Sequence, residues 1–259
     1  MTNNTESQLV TVAESEGVLE VCLESPPWNI LDHPMIDELE QAISATDEQG
    51  VGAILLRASG KGFCSGVSIE DHLPDRVERM LDRFRDILVR IHQSPVPTVG
   101  VVTGVALGGG LELACALDVL FAAEGTRLGQ PEIKLAAIAP AALHFLPRRV
   151  GFNRAADLLF SGRTVTAEQG AGWGLVDFVL PRDTVEEEAR RYARRIAAYS
   201  RPIMRACKAG LLKVAELTTS EFDEMNRLYL DRVASESDSL EGLTAFMENR
   251  KPVWKEGRS

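Results

Sequence analysis

The sequence predicts an α/β fold with right-handed crossovers between strands and a helical C-terminal part. Short continuous apolar runs at 52–56 and 119–123 have the composition of strands that are covered on both faces. Segments with apolar residues at helical spacing separate such runs through the first two thirds of the chain, and they dominate the last third. Alternation of this kind is typical of strands joined by helical crossovers.

The first hundred residues contain most of the predicted strands. Residues 9–25 read as a hairpin, because two β-prone runs flank a short polar stretch that contains glycine. Asp32 is a good N-cap for a helix, and apolar residues follow it at helical spacing. The run 52–56 is a strand, and the glycine-punctuated segment 59–66 is a loop. An amphipathic helix is predicted from about Pro74 to Gln93.

The rest of the chain passes from strands to helices. Thr98 to Leu107 is strand-like throughout, and Gly108-Gly109-Gly110 leads from it into a helix that contains Glu112. Another strand is predicted at 119–123. Thr166-Ala167-Glu168-Gln169 has the form of a capping box and opens a later helix. The remaining helices are predicted at about 151–161, 183–199 and 201–248.

Length, composition and charge exclude several classes of protein. The 259 residues are 45% hydrophobic, which fits one large domain or a main domain with a smaller appendage. The formal net charge of −10 disfavours nucleic-acid binding. The polar start MTNNTESQ does not resemble a signal peptide, and no apolar run approaches the length of a membrane span. We therefore expect a cytoplasmic protein without a membrane segment.

Cysteine and histidine show no pattern typical of a metal site. The cysteines are far apart, without C-x-x-C, and each lies in or beside an apolar segment, which favours reduced thiols in or near the core. The histidines show no metal-ligand spacing. These residues are Cys22, Cys64, Cys115 and Cys207, and His33, His72, His92 and His144.

The glycine run 108–110 is the first candidate for a functional site. It removes side chains from the backbone where a helix begins, and amide groups at that position have no partner within the helix. Such a site suits an oxyanion. A tight turn packed against a neighbouring element is an equally good interpretation of the same glycines. The dinucleotide, P-loop and nucleophile-elbow glycine motifs are all absent from the sequence.

Two glutamates are candidates for acid and base chemistry. Glu112 lies in the first turn of the predicted helix among apolar neighbours, where a carboxyl often has a raised pKa. Glu132 follows Pro131, which fixes the backbone before it. Taken alone, either residue could instead be a solvent-facing glutamate, one at a helix start and the other in a surface turn. Spacing alone does not bring the two together.

Several ordered motifs resemble the crotonase superfamily, the family of enoyl-CoA hydratases and isomerases. They are Phe63-Cys64-Ser65-Gly66-Val67-Ser68-Ile69, the segment 104–114, Gly129-Gln130-Pro131-Glu132 and the segment 168–179. The resemblance covers nearly the whole chain. It implies a crotonase (ClpP-like) fold, with a core of stacked ββα units and the acyl-CoA site over 1–199 and a helical C-terminal trimerisation region over 200–259. The implied assembly is a homotrimer or a dimer of trimers.

The resemblance also implies roles for individual residues. The amides of Val67 and Gly109 would form the oxyanion hole for a thioester oxygen. Glu112 and Glu132 match the two catalytic glutamates of the hydratases, and the presence of both favours water addition over simple isomerisation. CoA would be part of the substrate rather than a separate cofactor. The residues implied in CoA binding are Pro27, Trp28, Ile30, Val67, Ile69, Phe246, Arg250 and Lys251.

One departure from simple hydratases concerns the substrate. Residues 138–146 read IAPAALHFL where those enzymes have a glycine-rich stretch, so the acyl pocket is expected to have a bulkier wall. Together with Glu70-Asp71-His72-Leu73-Pro74, this segment is similar to hydratases of cyclic dienoyl-CoA thioesters. An enzyme for linear enoyl-CoA, or a catalytically idle CoA-binding scaffold with the same fold, are the alternatives that remain open.

Overall fold

A computed structural model describes residues 8–44, 50–73, 75–135, 137–213, 237–238, 241, 245 and 248–255. Strands form two sheets, and helices cover the larger one. The strands are β1 (Val10–Ser15), β2 (Val18–Leu23), β3 (Ala53–Ala58), β4 (Thr98–Val102), β5 (Val105–Leu107), β6 (Val119–Ala123), β7 (Arg127–Gly129), β8 (Thr164–Thr166) and β9 (Phe178–Leu180). The helices are α1 (His33–Ser44), α2 (Val77–His92), α3 (Gly109–Cys115), α4 (Pro140–Val150), α5 (Phe152–Ser161), α6 (Ala167–Ala171), α7 (Val185–Ala197) and α8 (Arg201–Lys213).

The larger sheet has the strand order β1-β2-β3-β4-β6-β9. The predicted hairpin is confirmed, because β1 and β2 pair antiparallel, and every other pair in this sheet is parallel. The two faces bury alternate side chains of β3. Leu55 packs with residues of α7 in one apolar cluster, whereas Ile54 and Leu56 belong to the larger core with α1 and α2. The run at 52–56 is therefore continuously apolar because both faces of this strand are covered, as the sequence predicted.

The smaller sheet corrects one prediction. Residues 98–107 do not form a single strand, since β4 lies in the larger sheet and β5 pairs with β7 in a second sheet of order β5-β7-β8. The chain turns at Gly104, which has φ +69° and lies against the backbone carbonyl of Lys61. A side chain at Gly104 would collide with that carbonyl. The turn carries the chain out of the core sheet towards the glycine run.

Helix ends follow the predicted signals in several places. The Asp32 carboxylate accepts a hydrogen bond from the amide of Met35 at 3.0 Å, at the start of α1. The capping box before α6 is confirmed, because Thr166 and Gln169 exchange side-chain to backbone hydrogen bonds. The sequence did not predict α4. The sequence signal for this helix is Pro140, which occupies the first turn. An amide hydrogen there would have no acceptor within the helix, so its absence in proline has no cost.

The proposed division at residue 199/200 falls between α7 and α8. Buried Lys208 on α8 pairs with Asp118, whose carboxylate also accepts the Thr98 amide of β4 at 2.8 Å. These contacts connect α8 to the larger sheet. Of the helical segment predicted over 201–248, most lies outside the described residues. Three cysteines are buried as expected, but Cys207 is exposed, because it lies on the outer side of α8.

Candidate active site

Three chain segments end at the same edge of the smaller sheet. The β5 and β7 strands are parallel, with Leu107 opposite Gly129, so the residues that follow both strands emerge side by side. Cys64 forms a further parallel bridge with Ala106. This pairing brings the loop after residue 64, the glycine run and the segment that contains Glu132 to one place. Residues far apart in sequence thus share one site.

Gly109 lies directly against the main chain of Val67. A Cβ atom on Gly109 would stand 3.2 Å from the Val67 nitrogen and 2.6 Å from Val67 Cγ2. Only a residue without a side chain allows this approach, since real Cβ atoms do not come so close to neighbours. The structure therefore brings together the two residues for which the family resemblance implied an oxyanion hole.

The amides of Val67 and Gly109 both lack a hydrogen-bond acceptor among the residues that the structure describes. Gly109 is the first residue of α3, and its N–H therefore has no partner within the helix. Two amides beside them are engaged, because Ser68 N donates to the Leu31 carbonyl at 3.0 Å and Gly108 N donates to the Gly129 carbonyl at 3.0 Å. Two adjacent free donors can bind one oxyanion.

Glu112 is buried, with 4% of its surface exposed, and it points away from solvent. The interpretation of Glu112 as a solvent-facing helix-start glutamate is therefore wrong. Its Oε1 accepts a hydrogen bond from the amide of Ala142 at 2.8 Å. Burial raises the pKa of the carboxyl to about 7, and the charge of Glu132 adds to this shift, while the bond from Ala142 opposes it. At neutral pH the carboxyl can therefore both give and take a proton.

Ala142 belongs to α4, the element that the sequence did not predict. The amide of Ala142 lies in the first turn of α4, where the helix itself provides no acceptor, so the donor is available for Glu112. Sequence reasoning described this segment only as a wall of the acyl pocket. The physical signal was present, because proline favours the first turn of a helix, and the first amides of a helix have no acceptor within it.

Glu132 begins a 3-10 turn, Glu132–Leu135, and lies against the glycine run. A Cβ atom on Gly108 would stand 2.7 Å from Glu132 Oε1, so a side chain at 108 would displace the carboxylate. Glu132 is half-buried, and its Oε2 is buried without a hydrogen-bond partner among the described residues. Burial raises the pKa of this carboxyl, and the nearby His72 opposes the shift. The surface-turn interpretation is therefore wrong for Glu132 as well.

The segment predicted to hold the CoA arm runs beside the loop that carries Val67. The Pro27 carbonyl accepts the Lys61 amide at 3.0 Å, and the Trp28 carbonyl accepts the Ser65 amide at 2.9 Å. Buried Asn29, which sequence reasoning missed, fixes this arrangement through its side-chain amide, which donates to the carbonyls of Ser59 and Gly62 at 2.8 and 2.9 Å. The segment leaves apolar side chains exposed beside the site. They are Trp28, Ile30 and, on the Val67 loop, Ile69.

Arg250, a C-terminal residue predicted to contact CoA, has acidic partners within the chain. Arg250 is paired with Glu241 through hydrogen bonds of 2.6 and 2.9 Å, and with Glu248 at 2.6 Å. Lys251 is exposed. Among the described residues, no hydrogen bond or ion pair joins the tail to the two glutamates or the two free amides. Phe246 lies outside the described residues.

Neither a metal cluster nor a membrane helix is found in the described part of the chain. The described residues contain no group of three or more histidine, cysteine, aspartate and glutamate side chains that could hold a metal ion. None of the described helices has the length and apolar character that crossing a membrane requires.

The raised pKa of Glu112 predicts a pH dependence of stability. The folded protein binds this proton more tightly than the unfolded chain, so the favourable contribution is complete below pH 4.5 and is lost as the pH rises to about 7. Loss of this contribution lowers the free energy of unfolding by up to about 3 kcal/mol. We expect the stability of Glu112→Gln relative to wild type to increase between pH 4.5 and 8, measured by urea unfolding. A difference that does not change with pH would contradict the assigned shift.

Known proteins match this chain over nearly its full length. The family model for enoyl-CoA hydratase/isomerase matches residues 13–257. The cyclohexa-1,5-dienecarbonyl-CoA hydratase of Thauera aromatica is 37% identical over 252 residues, which cover 96% of this chain and 97% of that protein. The mitochondrial enoyl-CoA hydratase of Pongo abelii is 32% identical over 234 residues, covering 88% of this chain and 80% of that protein.

Solved structures confirm the predicted crotonase fold. The crystal structure of an enoyl-CoA hydratase from Bacillus anthracis superposes with a TM-score of 0.91 at 29% identity, covering 97% of this chain and all of that one. A second hydratase structure, from Mycobacterium smegmatis, gives a TM-score of 0.89 at 26% identity, with 95% of this chain and 98% of that one covered.

Proposed function

Because the chain belongs to the enoyl-CoA hydratase/isomerase family, we propose that it is a hydratase that adds water to a cyclic dienoyl-CoA thioester. The observation that carries this proposal is the position of two raised-pKa carboxyls beside two unpaired amides at one sheet edge. Such a set can stabilise an enolate and move two protons, which are the requirements of water addition to a conjugated thioester.

The amides of Val67 and Gly109 hold the thioester oxygen in this proposal. Negative charge grows on that oxygen when water attacks the β-carbon, and fixed donors stabilise the charge without reorganisation. Gly109 keeps the two nitrogens close, since a Cβ atom at this position would displace Val67. One such donor is typically worth about 3 to 4 kcal/mol of barrier height.

Glu112 and Glu132 transfer the two protons of the hydration reaction. One carboxylate takes a proton from water as its oxygen bonds to the β-carbon. In a cyclic diene the resulting enolate extends through the α-carbon to a second ring position, and the other carboxyl delivers its proton there, completing a 1,4-addition. Neighbouring carboxyls titrate as a pair, so both glutamates are assigned jointly. A pKa of about 7 for Glu112 suits either role near neutral pH.

The cyclic substrate is supported by the relative from Thauera aromatica and by the wall of the site. α4 begins at Pro140, and the segment that leads into it replaces a flexible glycine-rich stretch with apolar residues. Ile138 and Leu143 flank the turn that binds Glu112, and both side chains are exposed and apolar. A compact ring can bury this surface, and the driving force scales with the apolar area covered.

CoA would be bound as part of the substrate, with no separate cofactor. Trp28, Ile30 and Ile69 offer exposed apolar contacts for the CoA arm beside Val67. Arg250 and Lys251, with Phe246, would contact CoA in an assembled homotrimer or dimer of trimers, where Arg250 would need to leave Glu241 and Glu248. The C-terminal region over 200–259 would supply the contacts between subunits.

The experiment compares hydration of cyclohexa-1,5-diene-1-carbonyl-CoA and of crotonyl-CoA by the purified protein. We expect kcat/KM for the cyclic dienoyl thioester to exceed that for crotonyl-CoA by at least about 10-fold, since a shaped apolar pocket discriminates by about that factor. A preference for crotonyl-CoA would support the linear enoyl-CoA hydratase instead. Calorimetric binding of both thioesters without turnover would identify a non-catalytic CoA-binding protein.

A further inference from the structure

His72 is a polar side chain near the proposed site that takes no part in the proposed proton transfers. It ends the 3-10 turn Glu70–His72, five residues after Val67. Its Nδ1 lies 2.8 Å from the carbonyl oxygen of Ser68. A carbonyl can only accept, so Nδ1 carries the proton, and Nε2 of the neutral ring presents a lone pair. Nε2 has no hydrogen-bond partner among the described residues, and the side chain is exposed.

The other polar side chains of this turn are engaged locally. Glu70 Oε2 accepts the Ser68 hydroxyl at 3.0 Å. Asp71 is buried, and its carboxylate lies 3.9 Å from His33 Nε2. Within the turn, His72 presents an exposed acceptor atom, Nε2, that no described residue engages.

A short chain of contacts links the turn that carries His72 to Glu132. Ser68, which fixes the imidazole, directly follows Val67, and Val67 lies against Gly109. The glycine before it, Gly108, lies against the Glu132 carboxylate. The electrostatic effect of His72 on the pKa of Glu132 agrees with this proximity. A chain of contacts and an electrostatic interaction therefore connect His72 with Glu132, whose Oε2 is buried without a partner among the described residues.

We propose that His72 orients the attacking water by accepting a hydrogen bond at Nε2. This inference rests on the proposed hydration. A water molecule that attacks carbon gives one hydrogen to a base and directs a lone pair at the carbon, so its second hydrogen needs an acceptor. His72 provides that acceptor and exchanges no proton. The C–O bond forms at the β-carbon as a glutamate takes the first hydrogen, and the other carboxyl protonates the ring.

The competing explanation is that His72 only holds the turn in shape. The two explanations can be distinguished because they depend on different ring nitrogens. Nδ1 holds the turn through Ser68, whereas Nε2 would act on water. His72→Asn keeps a donor at the position of Nδ1 and has no atom at Nε2. His72→Gln reaches the position of Nε2 with an acceptor oxygen. The two variants thus preserve different halves of the imidazole.

The test is the steady-state kinetics of both variants with the cyclic dienoyl thioester, together with binding of the saturated cyclohexanecarbonyl-CoA. We expect His72→Asn to lose kcat by about 10- to 100-fold, the scale of one lost hydrogen bond in the transition state. Its KM and its affinity for the saturated thioester should stay within about threefold of wild type, because neither uses the water. His72→Gln should recover kcat to within about fivefold of wild type.

Other outcomes overturn the proposal in identifiable ways. If His72→Asn keeps the wild-type kcat, or has a higher kcat than His72→Gln, Nε2 has no role in the reaction. If His72→Asn weakens binding of the saturated thioester as much as it lowers kcat/KM, the residue only holds the loop. A wild-type protein that hydrates neither thioester refutes the proposed function itself, whereas active wild type with an equally active His72→Asn refutes only the role of His72.

Discussion

Replacing Glu112 by glutamine is expected to lower kcat for hydration by about 10²- to 10⁴-fold, the usual contribution of a positioned acid or base. Glutamine has nearly the same shape, and its carbonyl can still accept the Ala142 amide that Glu112 Oε1 accepts at 2.8 Å. It cannot carry a proton to or from the substrate. Since the ground-state contacts remain, KM should change little. Hydration rates at saturating thioester measure the effect.

The same substitution at Glu132 completes this test. Glu132→Gln should lower kcat to a similar extent, because the mechanism needs one proton acceptor and one proton donor at the same time. Glu124→Gln is the matched control, since Glu124 is an exposed glutamate and should tolerate the change. Full activity in either site variant would refute the two-carboxylate mechanism. A loss in the control would point to a general effect of removing charge.

Replacing Gly109 by alanine is expected to lower kcat by about 10²- to 10³-fold, the range measured for loss of one oxyanion donor. The new Cβ would stand 2.6 Å from Val67 Cγ2 and 3.2 Å from the Val67 nitrogen. Because valine is branched at Cβ and stiff, the contact would be relieved by separating the two main-chain segments. The amides would then no longer converge on one oxygen.

The control for this variant is Gly172→Ala. Gly172 follows α6 with φ −61°, and a Cβ atom there would meet the Gln169 carbonyl oxygen at 3.4 Å, near ordinary contact distance. Both variants should be compared for kcat, for binding of a saturated acyl-CoA and for unfolding midpoint. Unchanged hydration by Gly109→Ala would exclude an oxyanion hole at this position. Equal losses of stability and activity in the two variants would show that the effect is not local.

The glycine run illustrates how far the sequence could be interpreted. An oxyanion site and a tight packed turn were both reasonable interpretations of residues 108–110, and the structure supports elements of each. Gly109 approaches Val67, whereas Gly110 packs against the backbone of Cys64, which leaves no room for a side chain. Local sequence shows that side chains are missing. It does not show which distant segment occupies the space, because that segment is separated by more than forty residues of chain.

The sequence by itself determined the order of most elements, the positions of the glycines and acids, and the family. Apolar periodicity and capping residues are local properties, so they predicted the first hairpin, α1, α2 and the helix that follows Thr166. Motif order supplied the family, which the matched relatives confirm. Pro140 is a local signal for the start of α4, although the sequence analysis did not predict that helix.

Tertiary structure alone decided how the acids behave. Parallel pairing of β5 with β7 places Glu112 and Glu132 together, and the packing of α4 buries Glu112 while its Ala142 amide binds the carboxylate. A pKa depends on the dielectric surroundings and charges within a few ångströms, and those are set by residues distant in the chain. The same glutamate in an isolated helix would face water, as the local pattern suggested.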